Sequence, residues 1–77
     1  MNIKVIFFGS IAEVIGRNQI EMDTVSDVDS LKLKLVKDFP KLSECKFVIA
    51  VNKTIVSGNY KFNNADTVAL LPPFAGG

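Results

Sequence analysis

The residues with the clearest capacity for chemistry are the last two, Gly76 and Gly77. A carboxylate at the end of two residues without side chains can enter a narrow channel, because nothing wider than the backbone has to pass. Pro72 and Pro73 precede them; with φ fixed and no backbone N–H, they favour an extended exit. The tail, residues 72–77, can span on the order of 20 Å. We expect this tail to be the functional part; the alternative is a frayed chain end.

Other catalytic chemistry is mostly excluded. The sequence has no histidine, so Ser-His and Cys-His nucleophile pairs and histidine metal sites cannot form. Cys45 precedes an apolar segment and is interpreted as a buried or incidental thiol rather than a nucleophile. The segment 9–16, GSIAEVIG, lacks the lysine and the spacing of a phosphate-binding loop. The tail is therefore the only group of chemical interest.

Length and composition favour one small domain. The chain has 77 residues, of which 48% are hydrophobic, so a compact core is expected without disulfides or metal. Nine basic and eight acidic residues nearly cancel, which argues against nucleic acid or a membrane as a charge-driven partner. The single cysteine and the lack of a signal peptide or spanning segment predict a cytoplasmic protein.

Five strands are predicted from β-branched and aromatic runs bounded by turn residues. They are residues 2–8, 17–22, 46–51, 54–56 and 67–71. The 46–51 strand is strongly apolar and is expected to be central. Alternation gives the first strand two faces: Ile3, Val5 and Phe7 on one, Lys4, Ile6 and Phe8 on the other. In the last strand, Val68 and Leu70 oppose Thr67, Ala69 and Leu71.

Two helices are predicted between these strands. A short one spans residues 10–15, with Ser10 as its cap and Gly16 in the left-handed position at its end. The main helix spans residues 27–39, where apolar residues recur at helical spacing. Its buried stripe is Val28, Leu31, Leu35 and Phe39.

The main helix has a predicted start and stop. Ser26 followed by Asp29 resembles a capping box, and Pro40 is consistent with an end just before it. The resulting order of strands and helices predicts one mixed sheet with the main helix packed on one face. This is the order of an α+β, β-grasp (ubiquitin-like) fold, with a single domain at residues 1–71 and an extended tail at 72–77.

Three blocks of sequence resemble one family. MNIKVIFFGSIAEVIG at 1–16, AVNKTIVS at 50–57 and DTVALLPPFAGG at 66–77 are together similar to the small, sulfur-carrying subunits of molybdopterin synthase. The blocks occur in order along nearly the whole chain, and the PP-x-x-GG ending is the most specific of them.

The resemblance implies a role for the terminal carboxylate. A ubiquitin-activating-type adenylyltransferase uses ATP to adenylate Gly77, which then becomes a thiocarboxylate. The resemblance also implies that the chain binds no cofactor and is not an enzyme on its own. The large, catalytic subunit receives the tail, in a heterotetramer of two small and two large subunits. There the sulfur passes to cyclic pyranopterin monophosphate, and two transfers form the dithiolene that holds molybdenum.

The resemblance also implies a partner interface. Phe8, Ile55 and Leu71 match family positions on the sheet face that meets the large subunit; the alternative for Phe8 and Leu71 is ordinary core packing. The tail residues that complete this interface are Pro72, Pro73, Phe74 and Ala75, with Gly76 next to the reacting Gly77.

Three other functions stay open at this point. A thiamine-pathway sulfur carrier shares the fold and the diglycine, but it resembles this chain less in segment 9–16 and lacks the proline pair. A ubiquitin-like modifier would use the tail to form isopeptide bonds with lysines of other proteins. A non-catalytic β-grasp binding module would not need its terminus.

Overall fold

The computed structural model describes residues 2–73 of the chain. Its helices and strands follow one another in the predicted order, with one addition. They are β1 (Ile3–Phe7), α1 (Gly9–Ile15), β2 (Gln19–Met22), α2 (Val28–Asp38), a 3-10 helix (Pro40–Glu44), β3 (Val48–Val51), β4 (Thr54–Val56) and β5 (Thr67–Leu71). The bounds of β4 and β5 agree with the prediction, and those of β1, β2 and β3 are shorter by one or two residues at one or both ends.

The five strands form one mixed sheet in the order β2-β1-β5-β3-β4. The first and last strands, β1 and β5, are parallel, and the other neighbours are antiparallel. The predicted α+β, β-grasp fold is confirmed. The apolar strand β3 is interior, but the middle of the sheet belongs to β5 rather than to β3.

Both helices pack on the same face of the sheet. Alternation along β1 is as predicted, since Ile3, Val5 and Phe7 are buried and Phe8 is not. The helices contribute the buried residues Ile11 and Ile15 from α1 and Val28, Leu31 and Leu35 from α2. These side chains meet those of β1, β3 and β5 in one core. One face of the sheet is thus used for stability, and the other is left partly exposed.

The start of α1 differs from the prediction. The N-cap residue is Phe8, and no side chain caps the helix. Ser10 is not the cap because the chain turns into the helix at Gly9, whose φ is +54°, and Ser10 already lies in the first turn. The predicted end is confirmed: Gly16 is left-handed, and its N–H donates to the carbonyl of Ala12.

The cap of α2 lies one residue later than predicted. Asp27, not Ser26, is the N-cap residue: its Oδ1 accepts from the backbone N–H of Ser30 at 2.9 Å. The Ser30 Oγ in turn accepts from the Asp27 N–H at 3.2 Å and closes the capping box. A serine hydroxyl replaces the usual Glu or Gln here because it also offers an acceptor at the third helical position.

The 3-10 helix was not predicted from the sequence. Helix α2 ends at Asp38, one residue before the predicted end, and Phe39 is its C-cap residue. The chain then continues into a 3-10 helix that begins with Pro40. Proline suits a first helical position because the N–H it lacks would have no partner there. The short helix buries Leu42 in the core.

The last strand leaves the sheet beside Gly9. A Cβ built on Gly9 would lie 3.2 Å from Cγ of Pro72, which is closer than carbon atoms normally pack. The glycine therefore serves two purposes, since it allows the positive φ at the start of α1 and leaves room for the first residue of the tail.

We predict that Asp27→Ala destabilises the protein more than Ser26→Ala, because only Asp27 caps α2. The backbone N–H of Ser30, then the Ser30 hydroxyl and the Asn59 amide, lower the pKa of the Asp27 carboxyl below 3.8. The stabilisation by this carboxylate is thus fully present above pH 3.8 and is lost as the pH falls through the lowered pKa. Urea unfolding of the unaltered protein and both variants, at pH 7 and at acidic pH, measures the free energies of unfolding. If Ser26→Ala and Asp27→Ala lost equal stability at pH 7, the assignment of Asp27 as the N-cap residue would be wrong.

We predict that Gly9→Ala destabilises the protein more than Gly58→Ala. Both glycines have positive φ, +54° and +82°, so both variants introduce a left-handed alanine at a cost of about 1–2 kcal/mol. No atom lies within 4 Å of a Cβ at Gly58, so only Gly9→Ala also meets Pro72. Free energies of unfolding from urea titrations give the difference, and equal values would argue against the Gly9–Pro72 contact.

Candidate functional site: the open sheet face and the tail exit

The face of the sheet opposite the helices carries a continuous apolar row. Strand register places Ile6 beside Ala69, Ala69 beside Ala50, and Ala50 beside Ile55. Register partners point to the same side of a sheet, so the row crosses four strands. Its centre consists of two small alanines and its ends of two larger isoleucines. The middle of the row is therefore lower than its ends.

A second apolar row lies next to the first. Leu71 is the register partner of Val48, and the backbone N–H of Phe8 donates to the Leu70 carbonyl at 3.1 Å. Phe8 follows buried Phe7 and so shares the side of Ile6. We refer to the two rows together as the open face. It consists of Ile6, Phe8, Val48, Ala50, Ile55, Ala69 and Leu71.

The open face contains all three of the expected docking residues outside the tail. Phe8 and Ile55 are 45% and 60% exposed, which is unusual for large apolar side chains, and Leu71 is partly buried. Core packing, the alternative interpretation for Phe8 and Leu71, does not describe these positions, since neither residue belongs to the buried core. Sequence reasoning placed Ile6 on the face of Phe8 and Ala69 on the face of Leu71, but it did not predict that they form one surface with Val48 and Ala50. Alternation along each strand was the available signal, but register was needed to join them.

A groove of about 370 Å³ runs along part of the open face. It is lined by Ile6, Phe8, Asn52, Lys53, Thr67 and Ala69. Its floor is mainly apolar, and its only charged lining residue is Lys53 in the β3–β4 turn. The groove can therefore accept an apolar group with a polar contact at one end.

Hydrogen bonds around Asp66 fix the turn at that end. Asp66 is only 6% exposed, and its carboxylate accepts from Asn52 Nδ2 and from the Asn63 N–H, both at 2.8 Å. The Asn52 side chain also accepts from the Thr67 N–H at 3.0 Å. The burial of this charge is tolerated because the carboxylate is hydrogen-bonded. The network ties the β3–β4 turn to the start of β5.

The tail begins at the edge of the open face. Leu71 is the last residue of β5, Pro72 is partly buried against Gly9, and Pro73 is exposed. The remaining predicted tail residues, Phe74, Ala75, Gly76 and Gly77, lie outside the described residues. The structure therefore gives the starting point of the tail and not the position of its terminal carboxylate.

Other candidate sites do not form within residues 2–73. Cys45 is partly buried against the core, and its thiol lies 3.6 Å from the Lys41 carbonyl, which fits a packing role. No group of three His, Cys, Asp or Glu side chains in this part of the chain could hold a metal ion. None of its helices has the length and apolar character required to cross a membrane.

Comparison with solved structures supports the fold. A subunit 1 of molybdopterin converting factor from Pyrococcus furiosus, described as putative, superposes with a TM-score of 0.88 over 96% of this chain and 99% of its own, at 23% identity. SAMP1 from Haloferax volcanii gives 0.81 over the full length of both chains at 22% identity. A protein-protein complex of subunits 1 and 2 of molybdopterin-converting factor from Helicobacter pylori gives 0.77 over both full lengths at 28% identity.

Comparison with curated proteins shows similarity in sequence as well as in fold. The molybdopterin synthase sulfur carrier subunit of Escherichia coli is 31% identical, over 97% of this chain and 99% of its own. That of Dictyostelium discoideum is 33% identical, over 96% and 94%. These relatives confirm the resemblance seen in the three sequence blocks. The model of the ThiS family matches residues 5–77, and the chain belongs to this family.

Proposed function

We propose that this protein is the sulfur carrier subunit of a molybdopterin synthase and that Gly77 carries the sulfur. The observation that carries the proposal is the similarity to molybdopterin synthase sulfur carrier subunits over 96–97% of the chain. The ThiS family match also runs through the diglycine to residue 77. A sulfur carrier needs a folded domain, a partner surface and an accessible terminus, and the described fold supports the proposal with a buried core and an exposed apolar face.

The chemistry follows from the properties of a carboxylate. Its carbonyl carbon is a poor electrophile, because the negative oxygen is a poor leaving group. In the proposed first step, the Gly77 carboxylate attacks the α-phosphorus of ATP on an adenylyltransferase and gives an acyl adenylate and pyrophosphate. Sulfur at the sulfide level then attacks the carbonyl carbon; the C–S bond forms as the C–O bond to AMP breaks, AMP leaves and a thiocarboxylate remains. This thiocarboxylate is the nucleophile that delivers sulfur to cyclic pyranopterin monophosphate.

In this proposal the protein supplies sulfur and the large subunit supplies the catalytic groups. The two apolar rows of the open face support such a division, because they offer a surface on which a partner could pack. In the proposal the chain is a non-catalytic subunit that uses no cofactor of its own, while ATP belongs to the adenylyltransferase reaction. We propose that the complex is a heterotetramer of two small and two large subunits in the cytoplasm.

We propose that the open face is the surface that binds the large subunit. Burial of the exposed parts of Phe8, Ile55 and Leu71 contributes about 2–4 kcal/mol before the costs of association, and those costs can offset most of it. Insertion of the tail, residues 72–77, is therefore expected to add appreciably to affinity. The solved Helicobacter pylori complex of subunits 1 and 2 supports a partner of this kind.

The start of the tail is placed well for this role. Leu71 lies on the open face and Pro72 packs against Gly9, so a partner that covers the face also lies next to the tail exit. Two consecutive prolines limit the directions that the chain can take from there. The proposed insertion thus begins from a fixed point and loses less conformational freedom than a fully flexible tail would.

We predict that Gly77 gains sulfur when the protein is incubated with the adenylyltransferase, ATP and a sulfur donor. Intact mass spectrometry should detect the exchange of one oxygen for sulfur, and fragmentation should locate the exchange at Gly77. A chain without Gly76 and Gly77 should gain no sulfur and should not support dithiolene formation.

Two outcomes would contradict the carrier function. One is an unchanged mass under conditions that charge a known carrier, and the other is dithiolene formation by the truncated chain. Conjugates between Gly77 and lysines of other proteins, without a thiocarboxylate, would favour the modifier alternative instead.

We predict that Ile55→Ala weakens binding to the large subunit about tenfold or more, because it removes exposed apolar area from the proposed interface. Leu33→Ala is the matched control: Leu33 is 74% exposed, but it lies on α2, on the other side of the sheet. Isothermal titration calorimetry with the purified large subunit measures the Kd of the unaltered protein and of both variants. Equal effects of the two substitutions would mean that the open face is not the interface.

A further inference from the structure

The turn between β3 and β4 has a backbone conformation that lysine rarely adopts. Asn52 and Lys53 have φ of +49° and +74°, and the flanking Val51 and Thr54 are direct register partners. A two-residue hairpin loop with positive φ at both positions is a type I′ turn, for which Asn-Gly is strongly favoured. Asparagine at the first position fits this preference. Lysine at the second does not, because its Cβ is disfavoured at positive φ.

The surroundings hold the turn in this conformation. The Asn52 N–H donates to the Thr67 carbonyl at 2.8 Å, and the Asn52 side chain is bound to Asp66 and to the Thr67 N–H. These bonds fix the residue before Lys53 and join the turn to the middle strand. A strained residue that persists because its surroundings determine its conformation is a recognised feature of binding sites.

Lys53 is the charged residue at the edge of the groove on the open face. Two other charged residues near this face, Lys4 and Glu21, are cross-strand neighbours of opposite sign in β1 and β2, and Glu21 Oε1 accepts from Asn2 Nδ2 at 3.1 Å. The buried Asp66 carboxylate is occupied by Asn52 and Asn63. Within residues 2–73, an ammonium nitrogen and a carboxylate oxygen lie within 4 Å of each other in the pair Lys34–Asp38 on α2, and Lys53 forms no such pair. The Lys53 ammonium group is therefore available at the edge of an otherwise apolar surface.

We propose that Lys53 determines partner specificity and that its ammonium group binds a carboxylate of the large subunit. This inference rests on the proposed function, in which the large subunit covers the open face. It adds that the covering surface is apolar with an Asp or Glu side chain at the end that meets the β3–β4 turn. A charge at the rim of an apolar interface speeds association and rejects partners that carry a like charge there.

The first test is binding of the full-length protein to the purified large subunit by calorimetry at low and moderate salt. We expect Lys53→Gln to raise Kd about threefold, as for an exposed ion pair. Lys53→Glu should raise it about tenfold or more, because like charges then face each other. Lys37→Glu is the control, since it makes the same charge change on an exposed residue of α2 and should leave Kd unchanged. The effects at Lys53 should shrink as salt increases.

The second test separates binding from folding. Lys53→Gly restores the residue that a type I′ turn prefers, so it should raise the Tm by roughly 2–5 °C. The same variant should weaken binding as much as Lys53→Gln does. A more stable protein that binds less tightly cannot owe its weaker binding to misfolding.

The outcomes distinguish this inference from the proposed function. If the unaltered protein and all three Lys53 variants bind with the same Kd, the role of Lys53 is overturned while the carrier function stands. The same holds if Lys53→Glu and Lys37→Glu weaken binding equally, because the effect is then one of net charge. If the unaltered protein acquires no thiocarboxylate and does not bind the large subunit, the proposed function fails.

Discussion

The parallel pairing of β1 with β5 is the constraint on which the rest of the structure depends. It places the first and last strands of the chain next to each other in the middle of the sheet. As a result the end of β1, at Phe8 and Gly9, meets the end of β5, at Leu71 and Pro72. Because parallel strands require a connection that crosses one face of the sheet, this pairing also accounts for helices on one face and an open opposite face.

Much of the fold could be predicted from local sequence patterns, and the differences have physical causes. Alternation was sufficient to predict which residues of β1 and β5 are buried, because each strand has one fully buried face. The cap of α2 was misplaced by one residue because Ser26 and Asp27 are adjacent and both residue types cap well. The 3-10 helix was missed because Pro40 signals the end of an α-helix and carries no signal for the conformation of the next residues.

The candidate site was less predictable than the fold. Phe8 and Leu71 could be assigned to the outer face from alternation alone. The neighbours that turn them into a surface, such as Ala50 and Ala69, depend on the register of three strands, which no local pattern reveals. Lys53 lies between the predicted strands 46–51 and 54–56, and the sequence pattern alone gives it no role. Its unusual conformation becomes evident only when the turn is known to have two residues and positive φ at both.

The short edge strands have a consequence for the tendency of this protein to self-associate. An exposed apolar sheet face next to long unpaired edges would favour assembly of copies into extended sheets. Here the edges are β2, with four residues, and β4, with three, so each offers few unpaired backbone groups. The fold can thus leave an apolar face exposed while it limits the backbone pairing through which copies of the chain would assemble into fibrils.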